Sequence, residues 1–205
     1  MQRITDKNIN TQEEYKRILE SRRNSKYSSF DIKRWKRMLK HFRGGILIDL
    51  GCFDSLLPTF AKDWYPESIV YGLDFVDDVI EQMKKIEPVV NYVRGNVYHT
   101  YFQDNYFDYI TAGELVEHLE KPYEFLKEVF RILKPGGIFV LSTPLEETKK
   151  GEVDKERHLW SFDKKDIFRM LKPYGYVKIE TMGSNYFPIY KYHFPYILGF
   201  CQKAG

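Results

Sequence analysis

From residue 46 onward the chain alternates apolar runs of strand length with stretches whose apolar residues recur at helical spacing, and nothing else in it constrains the fold as strongly. Strands separated by helices do not pair as hairpins. Each helix carries the chain back, so that the next strand lies parallel to the last and the helices cover the sheet. The expected strands are the runs ILIDL, SIVYGLD, VVNYV, FDYITA and GIFVLST, with two more over 176–181 and 196–201. Residues 76–86, 122–133 and 163–172 read as helices, the second lined on one face by Phe125, Leu126, Val129, Phe130 and Leu133. Pro122 suits a first helical turn, and Lys134-Pro135-Gly136-Gly137 is a stop followed by a turn. Upstream, 11–20 and 31–41 read as amphipathic helices, the later one carrying Ile32, Trp35, Met38 and Leu39 on one side. They form an N-terminal helical cap over residues 1–45, part of the same domain as a body spanning 46–205.

With 205 residues, 43% of them hydrophobic, the chain can bury one well-packed core. Its longest apolar stretches fall far below the roughly 18 to 20 residues that cross a bilayer. MQRITDKNINTQEE lacks the apolar core of a signal peptide, so neither secretion nor a membrane span is expected. Only Cys52 and Cys201 are present, without a CxxC pair or a Cys/His cluster at ligand spacing. A disulfide framework and a metal site are therefore not expected, and a reducing cytoplasm fits best. Charge is unevenly spread: residues 1–45 hold 13 Lys and Arg against 5 Asp and Glu, the remainder 19 against 24. The basic segment offers either a polyanion-binding face or an ordinary solvated one.

The segment ILIDLGCFDSLLP, residues 46–58, runs from a strand through Gly51 into a helix expected to start near Asp54. Open parallel sheets bind nucleotides at such junctions, where glycine admits close backbone approach and the next helix presents free amides. Phe53 stands where a dinucleotide fingerprint would have its second glycine, which argues against a nicotinamide or flavin dinucleotide. The next strand ends in Gly72-Leu73-Asp74, a carboxylate 23 residues after Gly51 and near the spacing that reaches ribose hydroxyls. Asp74 serves equally well as a cap for the helix that follows.

Taken in order, ILIDLGC, YGLDF, RGNV and DNYFDYITAGELVEHLEKPYEFLKEVFRILKPGGIFVLSTP resemble the class I S-adenosylmethionine-dependent methyltransferases over roughly residues 46–181, and most of all the branch acting on small molecules. The resemblance implies an α/β fold with a Rossmann-like, seven-stranded, mostly parallel sheet, helices on both faces and an antiparallel last strand. It implies S-adenosylmethionine as cofactor, with Asp49 and Gly51 bordering its methionine end, Asp74 on the ribose, Phe75 beside the adenine and Asn96 and Val97 at the adenine edge. Glu114 joins this set at the end of the fourth strand. Asn96 offers both a donor and an acceptor, although Gly95-Asn96 is also good turn chemistry. The departure is the loop Gly51-Cys52-Phe53-Asp54-Ser55, which keeps one glycine where the family has several. A positive φ at Phe53 or Ser55 would cost about 1 to 2 kcal/mol, so ordinary dihedrals or a reshaped pocket are expected, with Phe53 stacking near the sulfonium or the acceptor.

For the transfer, His118 in ELVEHL and His158 in HLWSF are the candidate bases, with Glu114 and Glu117 placed to orient His118 or raise its pKa. Both histidines also suit helix-entry packing. Arg157 could meet an anionic substrate. The aromatic stretch 186–200, with Tyr186, Phe187, Tyr190, Tyr192, Phe194 and Tyr196, is expected to wall the acceptor pocket with Tyr27, Phe30 and Trp35. Ala112-Gly113-Glu114-Leu115 replaces the Asn/Asp-Pro-Pro-Tyr motif of base N-methylating enzymes, and no Pro-Cys pair suits cytosine C5 chemistry. A small-molecule O, N or C nucleophile is thus expected as acceptor, in place of nucleic acid or membrane. The competing readings are an RNA methyltransferase that uses the basic segment and a non-catalytic relative.

Overall fold

The computed structural model describes residues 1–3, 10–22, 27–145, 158–183 and 195–205. Within these, one sheet is built from β1 (Ile46–Leu50), β2 (Ile69–Asp74), β3 (Asn91–Arg94), β4 (Phe107–Gly113), β5 (Leu133–Pro144), β6 (Gly175–Met182) and β7 (Tyr196–Lys203). Their spatial order is 3-2-1-4-5-7-6. The pairings β1–β2, β2–β3, β1–β4 and β4–β5 are parallel, whereas β7 runs antiparallel to both β5 and β6. The Rossmann-like sheet with an antiparallel last strand is therefore present as expected. The helices are α1 (Gln12–Arg22), α2 (Ser29–Met38), α3 (Leu57–Trp64), α4 (Asp77–Ile86), α5 (Pro122–Ile132) and α6 (Lys164–Leu171). A two-residue ribbon pairs Gln2–Arg3 with Trp160–Ser161.

Both faces of the sheet are covered, which explains why its strands read as apolar runs and not as an alternation. On one face Leu47, Val70, Tyr109, Val140 and Leu198 meet Trp35 and Met38 of α2, Leu57 and Ala61 of α3 and Val79 and Ile80 of α4. On the other, Ile48, Ile110, Phe139, Leu141 and Ile197 meet Phe125, Leu126 and Val129 of α5 and Ile167, Met170 and Leu171 of α6. Each such side chain contributes about 1.5 to 3 kcal/mol on burial.

Element boundaries depart from the expected ones for identifiable reasons. α2 begins at Ser29, ahead of residue 31, because Ser28 and Asp31 form a reciprocal capping box: Ser28 Oγ accepts from Asp31 N at 3.0 Å and Asp31 Oδ2 from Ser28 N at 3.3 Å. α3 begins at Leu57 instead of near Asp54, since Ser55 N closes a turn on Cys52 O at 2.9 Å and Ser55 Oγ accepts from Leu57 N at 3.0 Å. β5 starts at Leu133 and runs through Lys134-Pro135-Gly136-Gly137, expected as a turn. Gly136, with φ +76°, and a register shift opposite Phe107 and Tyr109 absorb the irregularity.

Chain order reverses between β1 and β4, with β2 and β3 to one side and β5 onward to the other. The carboxyl ends of strands at such a switch point frame a crevice.

Candidate active site

That crevice is a cavity of about 870 Å³, and Asp49, Gly51, Phe53, Asp74, Phe75, Asn96, Val97, Glu114, His118 and His158 all line it. The ten candidates for cofactor binding and catalysis are thus brought to one place. Arg157 and the aromatic residues from Tyr186 to Phe194 lie outside the described residues.

The loop after β1 is fixed by β2. The amides of Gly51 and Cys52 both donate to Leu73 O, at 2.8 and 3.0 Å. Gly51 has φ +67°, and a Cβ there would meet Leu115 Cδ1 at 2.7 Å, so both its dihedral and its surroundings demand glycine. Phe53 also takes a positive φ, +41°, which corrects the expectation of ordinary dihedrals. The reason is Asp74, whose Oδ2 accepts from Phe53 N at 3.0 Å while its Oδ1 accepts from Val76 N at 3.0 Å. A hydrogen bond to a carboxylate contributes about 1.5 to 3 kcal/mol and so offsets the backbone cost of about 1 to 2 kcal/mol. Asp74 does not cap α4, whose N-cap is Val76 without a side-chain bond. It ties two turns together at 4% exposure, and burial raises its pKa against the pull of the backbone donors.

Asp49 is 3% exposed and accepts from Thr111 Oγ1 at 2.7 Å. Burial pushes its carboxyl up to about 7, although the Thr111 hydroxyl and Arg34 favour the ionised form. Burial also pushes the Cys52 thiol far up, leaving it a packing residue. Asn96 engages its Oδ1 with Tyr98 N at 2.9 Å, so the turn role and the place at the cavity coexist.

Two residues of the helical segment complete the site in ways its sequence did not announce. Tyr15 of α1 stands edge-on to Phe53, Phe75 and His118, with ring centroids 5.8, 5.6 and 6.3 Å away. Arg34 of α2, one of the 13 Lys and Arg of residues 1–45, is 6% exposed and pairs with Glu114 Oε1 at 2.7 Å, with Ser142 Oγ at 3.2 Å and Asp31 Oδ1 at 3.2 Å. Burial works against its charge, but Glu114, Tyr196 and Asp31 more than compensate and its pKa is raised. Glu114 itself has φ +53°, a strained backbone at the edge of the cavity. Tyr27, Trp35 and Tyr196 contribute to the wall as expected, and Phe30 packs on Tyr196 at 5.4 Å.

Also at the cavity, His118 and His158 face each other edge-on with ring centroids 4.7 Å apart. Beside them Glu117 is fully buried, and neither carboxylate oxygen has a hydrogen-bond partner among the described residues. Its pKa is pushed up to about 8 by burial and by Glu114, with His158 acting the other way and the Thr143 hydroxyl helping the charged form without reaching hydrogen-bond geometry. One potential donor atom from each of Glu117, His118 and His158 lies within 4.8 Å of the others. Sequence spacing hid this group because His158 lies forty residues from His118. ELVEHL and HLWSF were its only signals.

Among the described residues no helix is long and apolar enough to cross a membrane. The Methyltransferase domain family matches residues 48–141. A probable S-adenosylmethionine-dependent methyltransferase of Mycolicibacterium smegmatis is 24% identical over 73% of this chain and 58% of its own length. The demethylmenaquinone methyltransferase of Geobacillus stearothermophilus is 35% identical over 53% of this chain and 45% of its own. A solved structure from Pyrococcus horikoshii OT3 shares the fold with a TM-score of 0.71 at 20% identity, covering 93% of this chain and 98% of that one. The chain spans about half the length of the curated relatives it matches. Motif order, strand order and these likenesses agree: residues 48–141 match the Methyltransferase domain family, and the chain is similar to S-adenosylmethionine-dependent methyltransferases.

Proposed function

We propose that the chain transfers the methyl group of S-adenosylmethionine to an O, N or C nucleophile of a small molecule by in-line displacement. The observation that carries this reading is the convergence of all ten candidate residues on one cavity, whose volume of about 870 Å³ leaves room for a small acceptor beside a nucleoside cofactor. Two local features suit the cofactor: the space at Gly51 that a Cβ would fill, and the buried Asp74 carboxylate with further acceptor capacity for vicinal hydroxyls. The cofactor supplies an already activated methyl group. The chain's task is then alignment, which is worth effective molarities of about 10⁵ M or more.

In this reading Asp49 and Gly51 hold the methionine end, Asp74 the ribose, and Phe75, Asn96 and Val97 the adenine. Glu114, fastened by Arg34, shapes the passage between the cofactor and acceptor halves. His118 and His158 act on the acceptor, where a base adds a factor of about 10² to 10⁴. The helical segment 1–45 belongs to the same folding unit and closes the cavity through Tyr15, Tyr27, Arg34 and Trp35.

The RNA reading loses its footing in the ion pairs: Lys16 is paired with Asp78, Arg34 with Glu114, and Arg37 and Lys40 with Glu180. These four cations of the basic segment answer acidic residues of the body. The non-catalytic reading rested on the loop at Phe53, whose positive φ is compensated by Asp74. Calorimetry with S-adenosylhomocysteine, with NAD as control and Asp74→Ala alongside, tests the proposal. Micromolar binding that weakens about tenfold to a few hundredfold in the variant upholds it, and a folded chain that does not bind overturns it.

A further inference from the structure

We propose that Glu117, His118 and His158 form a binding site for a divalent transition ion of the zinc type, placed at the acceptor end of the cavity with a coordination position open toward it. The inference rests on reading that cavity as the methyl-transfer site, and gives His118 and His158 the role of ligands to an ion that meets the acceptor, in place of bases.

Four observations carry it. First, the donor atoms of the three side chains lie within 4.8 Å of one another. Ligands held about 2.0 to 2.1 Å from a tetrahedral ion stand roughly 3.4 Å apart, so the three donors need to draw together by no more than about 1.4 Å. Second, Glu117 is a fully buried carboxyl with both oxygens unmatched among the described residues. Such a group costs several kcal/mol as an anion unless a cation meets it. The guanidinium of Arg34 makes its ion pairs with Glu114 and Asp31, at 2.7 and 3.2 Å. Third, the backbone holds the two segments in register: Glu117 and His118 share one helical turn, and Leu159 N donates to Glu117 O at 2.7 Å, which places His158 against that turn. Trp160 Nε1 adds a second tie to Leu119 O at 2.7 Å. Fourth, His118 and His158 line the cavity whereas Glu117 lies behind them, so an ion would be gripped from the protein side and face the ligand.

The donor set decides the ion class. Two imidazole nitrogens and one carboxylate suit Zn²⁺, Co²⁺ or Fe²⁺, while Mg²⁺ and Ca²⁺ call for oxygen. Three protein ligands leave room for an exogenous one, the pattern of reactive sites as opposed to closed structural ones. The ligand class that follows is an acceptor presenting an oxygen, such as a phenol, an enol or a carboxylate next to the methylated atom.

The test uses the full chain, stripped with a chelator and titrated with Co²⁺ while visible absorption and metal content are followed, with S-adenosylhomocysteine calorimetry on the same samples. One Co²⁺ per chain is expected, with a ligand-field band that Zn²⁺ abolishes. His158→Ala and Glu117→Gln should each weaken uptake by about a hundredfold, at the upper end of the range for altered metal surroundings, and leave S-adenosylhomocysteine affinity within about threefold. Should Glu117→Gln fail to fold by circular dichroism, His118→Ala takes its place. A folded chain that binds S-adenosylhomocysteine but takes up no Co²⁺, or takes it up equally well in the variants, overturns the site and leaves Glu117 a neutral buried acid. Stoichiometric Co²⁺ uptake without nucleoside binding upholds the site and overturns the methyl-transfer reading instead.

Discussion

Replacing Asp49 by asparagine should move ligand affinity and stability in opposite directions, because the wild-type carboxyl is held at a pKa of about 7 by burial. In the proposed function it faces the cationic methionine end of the cofactor, which prefers the ionised form. At pH 8 about ten in eleven molecules carry that form and at pH 6 about one in eleven, so the apparent Kd for S-adenosylhomocysteine should be about tenfold weaker at pH 6. Asp49→Asn should bind weakly and with no such dependence. For folding the sign reverses. A carboxyl whose folded pKa lies above its ordinary 3.8 contributes stability below about 3.8 and loses it as pH rises to about 7. The ionised group then costs up to about 4 kcal/mol above that pH. The asparagine chain, still able to accept from Thr111, should therefore unfold at higher urea concentration than the parent at pH 8 and match it near pH 4. Calorimetry at pH 6, 7 and 8, in two buffers of different ionisation enthalpy, counts the proton released on binding. A wild-type affinity flat across that range, or an asparagine chain less stable at pH 8, refutes the reasoning.

Arg34→Ala strands Glu114 beside the cavity and should cost about 3 to 5 kcal/mol of stability in urea titrations, with Arg34→Lys recovering only part because the fork reaching Glu114, Ser142 and Asp31 is lost. Phe53→Gly relieves the positive φ but loses the Tyr15 contact, so S-adenosylhomocysteine binding should weaken roughly three- to tenfold with stability within about 1 kcal/mol of the parent; equal or better binding would deny Phe53 a role. Although burial pulls Glu128 upward, its bonds to Arg131 and Thr100 hold its carboxyl down to about 2. Its contribution is present above the ordinary carboxylate range and lost as pH falls toward 2, so Glu128→Gln should cost about 1 to 3 kcal/mol at pH 7 and next to nothing at pH 2 in thermal melts. Binding of S-adenosylhomocysteine should change little between low and moderate salt, whereas phosphate contacts to a single strand would impose a slope of about −0.7 each.

Much of this fold is legible in the chain because a two-sided parallel sheet writes itself as uninterrupted apolar runs. Ile48 and Leu47 point to opposite faces and both are buried, so no alternation dilutes the signal. Element ends were less legible where side chains set them, as at the Ser28–Asp31 box, or where a turn uses residues that could have been helical, as at Cys52–Ser55. Site residues on strand ends, Asp49, Gly51, Asp74 and Glu114, could be read because short-range chain logic delivers them to one edge. Tyr15 and Arg34 could not, since an amphipathic helix gives no local sign of which polar residue will be carried over a cavity in another part of the chain. Glu117 was visible only as a neighbour of His118, as its turn is tied to Leu159 N some forty residues on.

The two helices that border the cavity are fastened by bonds of different kinds. α2 is held by a buried ion pair, Arg34 to Glu114, while the polar ties of α1 include the exposed pair Lys16 to Asp78 and a bond from Gln12 to Phe75 O, beside the packing of Tyr15 and Leu19. Opening free energies that differ by several kcal/mol translate into amide exchange rates that differ by orders of magnitude, at about 1.4 kcal/mol per factor of ten. Added salt screens the exposed pair and leaves the buried one nearly untouched. Rising ionic strength should therefore quicken amide exchange in α1 while α2 keeps its place.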